Sequence, residues 1–133
     1  MPSQDPKSPP EARLLYAEDE AGVATSIHWL LEDVGFAVDY ASNGRLALEK
    51  FRQAPDGYDL ILTDDNMPEL TGLGLVEELR RLNYRGNVVV HSAVVDSHKE
   101  QLYRAFGVKE FVHKLAPSRE LVAAIRRALN DAK

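Results

Sequence analysis

Two acidic stretches in this chain each follow directly on an apolar run. Glu18-Asp19-Glu20 comes after Leu14-Leu15-Tyr16-Ala17, and Asp64-Asp65 comes after Leu60-Ile61-Leu62-Thr63. A lone strand-end aspartate is ordinarily a solvated turn acid. Here Asp64 leaves an apolar run straight into a loop closed by Asn66-Met67-Pro68, a layout that presents side chains to a ligand. If Glu18, Asp19 and Asp64 converge to roughly 5 Å, each pair repels by about 3 kcal/mol at an effective dielectric near 20. Such a cluster needs a divalent cation and a lysine. Oxygen-only ligands suit Mg²⁺ or Mn²⁺, whereas His28, His91, His98 and His113 lack the close spacing of a zinc site. The lysine candidate is Lys114, just after Phe111-Val112, and Ser92, after Val88-Val89-Val90, adds a hydroxyl. Taken singly, Lys114 reads as a surface lysine and Ser92 as a turn former. Taken together, three carboxylates, one divalent cation and one lysine sum to zero charge, which leaves a site able to accept a phosphoryl group.

These residues work together only if the fold gathers them. Apolar residues at Val23, Ile27, Leu30, Leu31 and Val34 have helical spacing, and Gly35 ends the run. A short β-compatible stretch, Phe36 to Tyr40, is followed from Asn43-Gly44 by a helical face of Leu46, Ala47, Phe51 and Ala54. After Gly72, Leu73, Val76, Leu79 and Leu82 repeat the helical spacing up to Asn83 and Gly86, and Val88-Val89-Val90 forms the next strand. The segment from Asp96 to Phe106 has a thin apolar face, Leu102, Ala105 and Phe106, so this helix is expected to be the least firmly held. Phe111-Val112 is a fifth strand. The final helix runs through Leu121, Val122, Ile125 and Leu129, with Ser118 as its expected N-cap. Five strand-helix alternations with continuous apolar strands predict an open, doubly wound α/β fold with a parallel sheet covered on both faces. The order 2-1-3-4-5 is the general expectation for such a flavodoxin-like sheet. It would bring Glu18, Asp19 and Asp64 together at one sheet edge.

Composition narrows the classes. The 133 residues are 44% hydrophobic and 28% charged, enough for one domain with its own core. No apolar run approaches the roughly 20 residues of a membrane helix, so no membrane partner is expected. A net charge of -5 argues against direct nucleic-acid binding through phosphate neutralisation. Residues 1–12 hold four prolines among polar residues and lack a signal-peptide pattern, so they read as a flexible tail before a domain over 13–131. With no cysteine there is no disulfide chemistry, and the expected location is the cytoplasm.

From about Arg13 to Ala128 the chain resembles the receiver domain of two-component response regulators. The motifs that carry the resemblance are Tyr16-Ala17-Glu18-Asp19-Glu20, Ala41-Ser42-Asn43-Gly44, Asp64 with Met67-Pro68 and Gly72, Ser92-Ala93, and Phe106-Gly107 followed by Phe111-Val112-His113-Lys114. The resemblance implies that Asp64 is the phosphoacceptor and that Glu18, Asp19, Asp64 and the backbone carbonyl of Asn66 hold Mg²⁺. It implies further that Lys114 contacts the phosphoryl group and that Ser92 and Phe111 act as the switch pair. A receiver of this kind is no conventional enzyme, since it catalyses only its own phosphorylation and dephosphorylation. The partners implied are a sensor histidine kinase or histidine phosphotransfer protein and an unidentified downstream protein. The leading expectation is a stand-alone, single-domain regulator, monomeric or weakly dimeric. The alternatives are a constitutive receiver-like scaffold and a Mg²⁺-dependent phosphoester hydrolase.

Four features depart from the family pattern or stand beside it. Leu115 replaces the proline that usually follows the lysine, and a trans Lys114-Leu115 bond is expected, because a non-proline cis bond costs about 2.5 to 4 kcal/mol. Asp65 places a second carboxylate beside the acceptor, either facing solvent or weakening phosphoryl binding. His91 and His113 are read as a packed pair or a pH sensor. Arg126-Arg127, beside Glu110, reads as a solvated basic helix end or a self-association patch.

Overall fold

The computed structural model describes residues 9–94 and 96–131. Ten elements alternate: β1 (Arg13–Ala17), α1 (Ala21–Asp33), β2 (Ala37–Ala41), α2 (Gly44–Gln53), β3 (Leu60–Thr63), α3 (Gly72–Arg81), β4 (Asn87–Ser92), α4 (Ser97–Ala105), β5 (Glu110–His113) and α5 (Ser118–Asn130). The strands form one parallel sheet in the order β2-β1-β3-β4-β5, as expected. Side chains alternate across each strand, which divides the core into two layers. Leu15, Ala17, Ile61, Val88 and Val90 pack with α2, α3 and Tyr103 of α4. Leu14, Tyr16, Leu60, Leu62 and Val89 pack on the opposite face with α1 and α5.

The expected tail falls for residues 1–8 outside the described residues. At its far end the chain is already tied down: the Glu11 carboxylate takes two hydrogen bonds from Arg126, and Ala12 is buried.

Two expectations about helices need correction. The N-cap of α5 is Pro117, and Ser118 is the first helical residue. Pro117 leaves the preceding turn at φ -56° and makes no side-chain cap bond to this helix. On α4, Leu102 is 39% exposed and Ala105 also faces outward, while the one fully buried residue of the helix is Tyr103. Tyrosine carries an apolar ring with a polar tip, so it can fill a core position once its hydroxyl has a partner. Asp96 caps α4, its carboxylate accepting from the Lys99 N–H at 2.8 Å.

Candidate functional site

Register sets the site. Ala17 pairs with Thr63, and the Asp64 N–H continues the ladder by donating to the Ala17 carbonyl at 2.9 Å. Glu18 and Asp64 therefore leave adjacent strands at the same level. On the other side Ser92 pairs with His113, and the Lys114 N–H donates to the Ser92 carbonyl at 3.0 Å. The four strand ends expected to converge do so around one cleft of about 520 Å³.

Glu18 is fully buried, and Asp64 is nearly so. The Lys114 ammonium bridges them, 2.9 Å from Glu18 Oε1 and 3.1 Å from Asp64 Oδ2. Glu18 Oε2 accepts from the Glu20 N–H at 3.0 Å, whereas Oε1 has the lysine charge close by but no well-directed hydrogen bond. Burial pushes the Glu18 carboxyl up, although the Lys114 hydrogen bond opposes it. Burial also acts to pull the Lys114 ammonium down, but its hydrogen bonds to Glu18 and Asp64 outweigh this and its pKa ends raised. Lys114 therefore stays charged while it holds two acids.

One carboxylate oxygen from each of Glu18, Asp19 and Asp64 lies within 4.8 Å of the others. Asp19 is exposed, so the cluster opens to solvent on that side, and Asn66 lines the same cleft. Three hard oxygens, one of them a buried oxygen lacking a directed donor, fit a small divalent cation such as Mg²⁺ or Mn²⁺.

Ser92 is buried, and its hydroxyl is engaged with the backbone of Val94 at 3.3 Å. Phe111 is half-buried: its ring meets Tyr103 edge-on, 5.8 Å between centroids, and Arg104 stacks 5.0 Å above it. A smaller cleft of about 210 Å³, lined by Ser92, Phe111 and Glu100, lies between α4 and β5.

The departures from the family pattern resolve as follows. No cis peptide bond occurs among the described residues, so Lys114-Leu115 is trans as expected. The turn there is closed by His113, whose Nδ1 accepts from the Leu115 N–H at 2.9 Å and whose carbonyl accepts from Ala116. His91 pairs with Val112 and His113 with Ser92, so the two rings do not stand opposite one another. Burial, and then the Lys114 charge, push His91 down to about 4, which keeps it neutral at physiological pH. Arg126 and Arg127 are held within the chain by Glu11 and Glu110.

Asp65 corrects the solvent-facing reading. It is 4% exposed, and its carboxylate accepts from the Tyr103 hydroxyl at 2.5 Å and the Lys99 ammonium at 2.9 Å. Gly72 makes this contact fit, because a Cβ there would stand 2.6 Å from the Tyr103 hydroxyl and 2.4 Å from the Asp64 carbonyl. Lys99 and Tyr103 are the site residues that the sequence reading missed. Their signal was faint: two donors at i and i+4 on α4, opposite an extra acid.

The site is thus a switch-point cleft of a parallel α/β sheet, with an acidic cluster, a bridging lysine and a hydroxyl. The response regulator receiver domain model matches residues 14–126, so the chain belongs to that family. A probable transcriptional regulatory protein of Picosynechococcus sp. is 36% identical over 127 residues, covering 90% of this chain and 49% of the relative. The alkaline phosphatase synthesis transcriptional regulatory protein SphR of Synechococcus elongatus is 30% identical over 131 residues, covering 93% and 51%. The chain thus spans about half the length of the curated relatives it matches. A receiver domain from Clostridium thermocellum superposes with a TM-score of 0.84 at 28% identity, covering 90% of this chain and 95% of that one. Chemotaxis protein CheY4 of Vibrio cholerae gives 0.81 at 26%, covering 88% and 98%. Receiver domains are phosphoacceptor switch domains that bind Mg²⁺ at an acidic pocket and interact with histidine kinases or phosphotransfer proteins.

Proposed function

We propose that this chain is a Mg²⁺-dependent phosphoacceptor switch that receives a phosphoryl group on Asp64 and changes a protein-binding surface in response. The observation that carries this reading is the Lys114 bridge, which holds Asp64 beside Glu18 with its remaining oxygen, Oδ1, on the Asp65 N–H at 2.7 Å. An Asp64 oxygen attacks phosphorus in line, the new O–P bond forms as the N–P bond of a phosphohistidine donor breaks, and the donor nitrogen leaves with the electron pair. Glu18, Asp19, Asp64 and the Asn66 carbonyl would hold a divalent cation, which would supply positive charge to the phosphoryl oxygens. Lys114 moves from its carboxylates to the same oxygens, and the backbone N–H groups of the loop fix the geometry.

The added group carries about -1.5 to -2 charges. It gives the Ser92 hydroxyl a stronger acceptor than the Val94 carbonyl, and Phe111 follows Ser92 into the cleft between α4 and β5. The face of α4, β5 and α5 is then the output surface. The donor is a sensor histidine kinase or a phosphotransfer protein, the setting is the cytoplasm, the target is another protein, and the free chain is a monomer or a weak homodimer.

Intact-mass analysis after incubation with acetyl phosphate and Mg²⁺ tests this. Wild type gains one phosphoryl group and Asp64→Asn gains none. Equal labelling of the two would mean that Asp64 is not the acceptor, and none in either would point to a constitutive scaffold. Turnover of a generic phosphoester lost in Asp64→Ala would point to a hydrolase.

A further inference from the structure

Lys99 has no place in the mechanism above, yet its ammonium lines the same cleft as Asp64, Asn66, Ser92 and Lys114. It reaches there from the first turn of α4 to pair with Asp65, whose own N–H donates to Asp64 Oδ1. Asp65 thus brings a buried negative charge to within one residue of the acceptor. A buried carboxylate without partners is costly, and among the described residues the Asp65 carboxylate has two side-chain donors, both from α4.

The donors differ in what they can do next. Tyr103 is fully buried, its ring is packed against Phe111, and among the described residues its hydroxyl bonds to Asp65 alone. The Lys99 side chain is 44% exposed, on a flexible stem at the cleft wall. A phosphoryl group on Asp64 would carry more charge than a carboxylate and would stand in that cleft. Tyr103 would continue to satisfy Asp65 when Lys99 turned away.

We infer that Lys99 is a second cation of the phosphoryl site, held on Asp65 while Asp64 is unmodified and shared with the phosphoryl group once that group is present. The inference rests on Asp64 being the phosphoacceptor. It gives α4 a direct link to the modified residue, separate from the Ser92 and Phe111 route, because Lys99 is fixed to the helix that moves. It also accounts for the acid at position 65, which without Lys99 would repel the incoming group.

Titration with beryllofluoride and Mg²⁺, followed by ¹⁹F and amide NMR, separates this role from that of a simple brace. Asp65→Asn and Lys99→Met both break the same ion pair. A brace that only held α4 would respond in the same direction to either. A phosphoryl-site cation responds in opposite directions: Asp65→Asn removes repulsion and tightens beryllofluoride binding, and Lys99→Met leaves Asp65 uncompensated and weakens it. Each change is about five-fold or more for charges this close to the ligand. Lys99→Arg should bind nearly as wild type does. In the wild type, the Lys99 side-chain ammonium resonance should also shift on saturation, a readout that survives even if Asp65→Asn folds poorly.

Shifts in the same direction in both variants, or none in either, with an unmoved Lys99 resonance, overturn the inference. Asp64→Asn separates the two levels. If wild type binds and Asp64→Asn does not, the acceptor reading stands whatever Lys99 does. If the two behave alike, both readings fall.

Discussion

The two helices that flank the β4–β5 edge are held in opposite ways. Helix α5 buries Leu121, Val122, Ala124, Ile125 and Ala128 against the sheet, and each turn adds apolar contact. Helix α4 fully buries one residue, Tyr103, and its ties to the loop after β3 run through the Asp65 carboxylate. Apolar burial is indifferent to charge, whereas a polar anchor responds to any charge placed beside it. The fold thus places an apolar-anchored helix and a polar-anchored one on opposite faces of the sheet, with Asp64 next to the polar-anchored one.

That contrast breaks most readily in the core. Ile125→Ala should cost about 2 to 5 kcal/mol, read as a lower urea midpoint. A loss under about 1 kcal/mol would mean that α5 is not the firm element.

The next effect is in pH. Burial, then Lys114, push His91 from 6.5 down to about 4, so between these values the unfolded chain binds a proton that the folded chain refuses. His91 therefore contributes stability above pH 6.5 that is lost as pH falls towards 4, by about 3 kcal/mol over the full window. His91→Gln should flatten the difference between urea midpoints at the two ends, and an unchanged slope would remove His91 as the cause.

Tyr103→Phe sharpens the comparison directly. It keeps the ring against Phe111 but takes one of two donors from a buried carboxylate, at about 1 to 3 kcal/mol. Its hydrogen-exchange consequences should appear in α4 and the loop after β3 and leave α5 unchanged. The smallest effect belongs to Leu102→Ala, within about 0.5 kcal/mol, since that side chain is 39% exposed and lies outside the buried core. A large loss would restore the apolar face expected for α4.

What the sequence disclosed and what it hid divide along the same line. Val88-Val89-Val90 and the spacing of Leu121, Val122 and Ile125 determine periods, and periods determine layers, so the sheet and α5 were readable. Glu18, Asp64, Ser92 and Lys114 were readable because strand ends in a parallel sheet must gather at one edge. The partners of Asp65 were not. They depend on a tyrosine outside the expected apolar face of α4, on a lysine reaching over 34 positions of sequence, and on the space that Gly72 leaves. Periodicity carries no signal for such cross-loop polar contacts. The start of α5 was misplaced by one residue for a related reason: a serine promises a cap, but the backbone at Pro117 decides where the turn begins.

Amide hydrogen exchange with and without beryllofluoride and Mg²⁺, in wild type and Asp64→Asn, measures the contrast most directly. A switch built as described changes exchange in α4 and around Phe111 in the wild type, leaves the α5 core amides as they were, and shows neither change in Asp64→Asn. Equal changes in α4 and α5, or an α4 response that persists without Asp64, would contradict it.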